Sequence, residues 1–147
     1  MTRFLMCLVL AASAHGAPVP FLKGRAGGLV GEWRQVAVEF EGADQWPGEG
    51  PTLNRWIITE ERITIITRGK QDRGSWSYRV RADGIDLTTG RTTYPCLFKL
   101  EGDRLTLCLQ NHPERGRPAD LVSRKGSGVG RFVYVRMKPG EFARQRE

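Results

Sequence analysis

Histidine is nearly missing from this sequence, with two in 147 residues, His15 and His112. A hydrolase brings together a nucleophile, a base and an orienting group. Only His112, beside Pro113 in a loop, lies outside the amino-terminal segment described below, and no spacing sets carboxylates around it as metal co-ligands. Cysteine is almost as scarce, at three, and no CxxC or Cys/His spacing suggests zinc. The apolar run near the amino terminus is roughly ten residues, about half of what a bilayer span requires. Beyond it, no window of useful length keeps a helical period. These gaps lead to an expectation of no catalytic residues, no metal and no cofactor. They leave β-structure as the way to bury a core.

The first residues, Met1-Thr2-Arg3-Phe4-Leu5-Met6-Cys7-Leu8-Val9-Leu10-Ala11-Ala12, pair a positive amino end with that apolar run. Small residues follow up to Ala17, with Pro18 and Pro20 beyond. This is the pattern of a secretory signal peptide, and it predicts cleavage near Ala17 and export to the periplasm or the cell exterior. Cys7 lacks the residue order of a lipoprotein signal, so no membrane anchor is expected in the mature form. The chain is thus divided into a signal peptide at 1–17, one domain at 28–138, and a charged tail at 139–147.

Within the domain, apolar residues alternate in short runs broken by Gly, Asp and Asn. Strands are predicted at 32–41, 55–59, 62–68, 73–80, 85–89, 92–100, 104–110 and 131–138. In 73–80 the alternation is cleanest: Gly74, Trp76, Tyr78 and Val80 share one face, with polar or charged neighbours on the other. The stretch from Asn111 to Gly128 reads as a long, mobile connection, with Gly126-Ser127-Gly128-Val129-Gly130 as a flexible connector. That glycine run is no phosphate loop, because a strand follows it rather than a helix.

About eight even-spaced strands joined by tight turns suit an antiparallel up-and-down barrel, which removes exposed edges by closing on itself. A two-sheet sandwich usually needs crossing connections that two-residue turns cannot make. The first strand carries a phase conflict: Trp33 has one parity, and Val36, Val38 and Phe40 have the other. Either a bulge near Arg34-Gln35 flips the phase, or Gln35 and Glu39 face inward. For Cys96 and Cys108 the turn decides. A two-residue turn at Gly102-Asp103 sets Cys96 opposite Leu109 and puts the thiols on different faces, whereas a three-residue turn sets the cysteines opposite each other and permits a disulfide.

Gly31-Glu32-Trp33 resembles the Gly-x-Trp signature of lipocalins, in which the Trp closes the barrel floor beneath a basic side chain from the last strand. The wider order resembles a planctomycete-type exported domain family of unknown function, whose members are similar to small lipocalin-like (calycin-type) barrels. The pieces that match are Leu29-Val30-Gly31-Glu32-Trp33, Leu100 to Cys108, Arg117-Pro118, Gly126-Ser127-Gly128 and Val133-Tyr134-Val135-Arg136. The segment from Trp46 to Pro51 departs from that pattern. The resemblance implies a lipocalin-like barrel with Arg136 or Arg131 packed across Trp33. It brings no activity, ligand or catalytic residue with it. Arg136 shares the parity of Phe132 and Tyr134 and points inward if they do.

Trp56, Trp76, Tyr78 and Phe98 are expected to line the barrel interior, either contacting a small apolar ligand or filling a narrow barrel outright. Loss of Arg3 with the signal peptide leaves 22 basic against 16 acidic residues, a net charge of +6 with neutral histidine. The basic residues are scattered rather than clustered, so nucleic acid is not expected. Two functions compete: a binding module for an apolar ligand, and a non-enzymatic envelope structural or interaction domain whose partner is a protein or an anionic polymer.

Overall fold

The structure, a computed structural model, describes residues 28–44, 54–67, 70–138 and 141. The segment predicted as a signal peptide, the stretch from Trp46 to Pro51 and, apart from residue 141, the tail lie outside the described residues. The remainder is all-β. The strands are β1 (Gly31–Phe40), β2 (Ala43–Asp44), β3 (Arg55–Ile58), β4 (Arg62–Thr67), β5 (Lys70–Arg81), β6 (Gly84–Thr89), β7 (Thr92–Glu101), β8 (Arg104–Gln110) and β9 (Val129–Arg136). Every pairing is antiparallel. β1 and β3 to β9 follow one another around the wall, and β1 pairs with β9 to close an eight-stranded up-and-down barrel. β2 is a two-residue flap on the end of β1.

Short turns impose this order. Gly90 and Gly102 take positive φ, 58° and 57°, at the first central position of two-residue turns, where a type II′ hairpin requires a left-handed residue. Leu100 then faces Leu105, and Cys96 faces Leu109. Cys96 therefore lies in the core and Cys108 on the outer face, and both thiols are free. Burial pushes each of them up to about 12.

Alternation along each strand sends one face to the axis. Trp33, Trp56, Ile58, Ile63, Ile85, Leu87, Cys96, Leu105, Leu107 and Tyr134 form the core, with Trp76, Tyr78, Tyr94 and Phe98 packed against it. The outer wall is polar; among the described residues, Val122 is the one large apolar side chain that is exposed. A membrane-spanning barrel has the reverse arrangement, apolar outside.

The phase conflict in β1 is settled by a bulge between Gln35 and Ala37, slightly later than the sequence suggests. Before it Trp33 and Gln35 are buried, at 0% and 3% exposure. After it Val38 pairs with Phe132, while Glu39 pairs with Arg131 and forms an ion pair with it at 2.5 Å. Both proposed solutions therefore hold in part: the strand bulges, and Gln35 still faces inward.

The connection between β8 and β9 differs from the mobile loop expected. It holds a 3-10 turn, Pro113–Arg115, and lies against the barrel at several points. Leu121 packs on Leu97, Cys108 and Val129, covering an outer patch of β7 to β9. Ser123 Oγ accepts from the Gly42 amide and donates to the Val129 carbonyl at 2.7 Å. Glu41, the one non-glycine residue at positive φ among those described, accepts from the Gly126 and Gly128 amides.

Candidate functional site

At the floor of the barrel, β1 delivers Trp33 and β9 delivers Arg136, and direct pairing of these two residues makes their meeting unavoidable. The Arg136 guanidinium carbon lies 4.2 Å from the Trp33 ring centroid. Such a cation–π contact contributes about 0.5–2 kcal/mol, more as water is excluded. The same guanidinium donates to the Val30 carbonyl at 2.7 Å, the Gly28 carbonyl at 2.6 Å and Asp103 Oδ1 at 3.1 Å. Trp33 Nε1 donates to the Leu29 carbonyl at 2.8 Å. Two side chains thus hold residues 28–30 across the floor. Gly31 is required here: its φ is 142°, and a Cβ would stand 2.6 Å from Arg136 Nη1. Of the two arginines considered for this position, Arg136 occupies it, and Arg131 is paired with Glu39 instead.

The four interior aromatics are not brought to one place. Trp56, Tyr78 and Phe98 line a cavity with Leu29, Ile63 and Leu107, whereas Trp76 lies apart, its ring 5.9 Å from that of Tyr94. Trp56 also packs on Tyr134 at 4.6 Å. The Tyr78 hydroxyl donates to the Thr59 carbonyl at 2.7 Å. Burial, followed by the nearby Glu60 carboxylate, raises the Tyr78 phenol above its ordinary value. The cavity measures about 10 Å³. One water needs about 10–15 Å³ on that measure, so the space holds a single water at most.

A second arginine was not foreseen as a structural residue. Arg117, from the β8–β9 connection, reaches the β5–β6–β7 wall and donates to Asp83 Oδ2 at 3.1 Å, Asp86 Oδ1 at 2.9 Å and the Ile85 carbonyl at 3.1 Å, and also to the Cys96 carbonyl. Arg81 Nε holds the other Asp86 oxygen at 2.8 Å. No sequence signal links residues 31 apart in this way, although Gly84 marks the spot: it is buried and leaves the room into which the guanidinium fits.

Asp86 supplies a pH prediction. Burial pushes its carboxyl up, but the hydrogen bonds from Arg81 and Arg117 outweigh burial and leave it below the ordinary 3.8. A carboxyl lowered on folding stabilises the native state above its unfolded value, and that contribution is lost as pH falls through the folded one. Asp86→Asn is therefore expected to destabilise by roughly 1.5–3 kcal/mol at neutral pH, the range for hydrogen bonds to charged groups. The gap between variant and parent should narrow below pH 3.8. Urea unfolding at pH 7 and again in that acid range measures both. An unchanged gap in acid would remove Asp86 from the linkage.

The outer wall over β4 to β7 is the other feature of chemical interest. Register sets Arg62, Ser77, Thr88 and Thr93 in one cross-strand row. The hydroxyls of Thr88 and Thr93 lie 2.9 Å apart. Beside the row, Arg79 stands opposite Asp86, whose oxygens are already engaged by Arg81 and Arg117. Arg62, Ser77, Arg79, Arg81 and Thr93 are exposed. His112 is on the β8–β9 connection, with Nδ1 3.3 Å from Glu114 Oε1. Among the described residues, no three His, Cys, Asp or Glu side chains converge as metal ligands.

No protein family, curated protein or solved structure matches this chain. What can be said of function therefore rests on the floor, the packed interior and the polar wall.

Proposed function

We propose that this protein is a non-enzymatic interaction domain of the cell envelope, a filled lipocalin-like barrel that meets its partner through a basic outer surface. The observation that carries this is the interior cavity of about 10 Å³, lined by apolar side chains. A barrel of eight strands is just wide enough for side chains to fill, and here Trp56, Tyr78, Phe98 and their neighbours fill it. The lipocalin-like character is supported by Arg136 lying across Trp33 above Gly31. Export to the periplasm or the cell exterior rests on the amino-terminal pattern of charge and apolar run. A small apolar ligand between Trp56, Trp76, Tyr78 and Phe98 would require the walls to part, at the cost of contacts that already exclude water.

Native mass spectrometry of the protein purified from its own host tests this. The expected result is the mass of the chain without its first seventeen residues or so, and no retained small molecule. A stoichiometric apolar adduct, released on denaturation, would overturn the filled-barrel proposal in favour of the ligand carrier. An intact amino terminus would remove the exported address.

A further inference from the structure

We infer that the β4–β7 outer wall is a binding face for an acidic polysaccharide; this rests on the interaction-domain function proposed above. Three observations lead there. The first is local charge: among the described residues Arg34, Arg62, Arg79, Arg91, Arg104 and Arg115 form no ion pair, and three of them fall on this wall, Arg62 and Arg79 on its strands and Arg91 in the β6–β7 turn at its end. The Asp86 carboxylate opposite Arg79 is already shared by two other guanidinium groups. Glu60 and Glu61, at the turn before Arg62, are exposed acids near the row, while Asp83 is paired with Arg117 and Glu101 with Lys99. A guanidinium matches carboxylate or sulfate with paired, parallel donors.

The second is the hydroxyl row. Ser77, Thr88 and Thr93 continue from Arg62 across three strand spacings, each about 4.8 Å. A row of hydroxyls beside cations can give and accept hydrogen bonds along a polymer that itself carries both hydroxyls and anions. The third is the inward turn of the wall's aromatics. Trp76 and Tyr78 pack into the core, so this surface presents no ring on which a base could stack, and single-stranded nucleic acid draws much of its affinity from such stacking. Protein docking usually centres on a desolvated apolar or aromatic anchor, and the one exposed large apolar residue among those described, Val122, belongs to the β8–β9 connection.

The experiment is calorimetric titration of the whole protein with polygalacturonate, heparin, neutral dextran and a single-stranded oligonucleotide of matched charge, at low and at raised salt. Binding to at least one acidic polysaccharide is expected, weakening as salt screens the charges. Arg62→Ser with Arg79→Ser should weaken it by about tenfold or more, the scale of lost charge-assisted hydrogen bonds. Arg104→Ser with Arg115→Ser, at exposed positions away from the row, should change it by less than about twofold. Thermal melting of both double variants checks that they fold. The stronger of the two polyanions identifies the anion as carboxylate or sulfate. Equal loss in the two double variants would overturn the assigned face while leaving a diffuse basic surface standing. Tighter binding of the oligonucleotide, lost with Arg62 and Arg79, would overturn the polysaccharide assignment. No binding to any polyanion would remove this face and weaken the parent proposal, which native mass spectrometry tests separately.

Discussion

Gly84→Ala is expected to unfold at a much lower denaturant concentration than the parent, with a loss of roughly 2–6 kcal/mol, the sum of a strained backbone and overpacking. Gly84 has φ at 157°, where L side chains are rarely found. A methyl group there would land on both the Arg117 guanidinium and the Cys96 carbonyl oxygen. The guanidinium is the end of a long side chain and can retreat, but the carbonyl belongs to β7 and cannot. Arg117→Ala on the Gly84→Ala background should therefore recover only part of the loss. Gly90→Ala is the control: its φ of 58° is also left-handed, but nothing stands within 4 Å of the added carbon, so about 1–2 kcal/mol is expected from backbone alone. Urea denaturation of the four proteins checks this, and equal losses at Gly84 and Gly90 would show that the buried contact contributes nothing.

Truncation of the barrel floor should be as damaging. Trp33 is fully buried, and Trp33→Ala is expected to cost about 3–5 kcal/mol through lost apolar contact and the cavity left behind. Arg136→Met should cost about 2–4 kcal/mol, because the Val30 and Gly28 carbonyls lose their donor and the ring loses its cation. The bond to Asp103 adds little to that figure, since Asp103 is largely exposed. Arg136→Lys should recover less than half of the deficit. An ammonium is a single point of charge, whereas this guanidinium donates in three directions while stacking on the ring. Full recovery by lysine would mean that charge alone matters here.

Much of this was legible in the sequence because β-structure writes a two-residue period into the chain. The two-residue turn at Gly102-Asp103 set the β7–β8 register, and that register separated Cys96 from Cys108. Arg136 was placed inward by its parity with Phe132 and Tyr134. The bulge in β1 was visible as a phase error, but its position was not, because alternation shows that a residue is extra without showing which one. Arg117 was illegible as a structural residue. The partners of its side chain come from β5–β6 and β7, and proximity of that kind depends on how the barrel rolls up.

What the polypeptide order determined by itself is local: which residues extend, where they turn and which side chains share a face. These follow from backbone sterics and the short reach of hairpins. The space left between the aromatics was set by closure of the barrel, because a cavity volume depends on strand number, tilt and the summed size of side chains from every strand. Closure also decided which of the described arginines were left without carboxylates, since ion pairs across 31 to 92 residues form only once the wall has curled round to meet them.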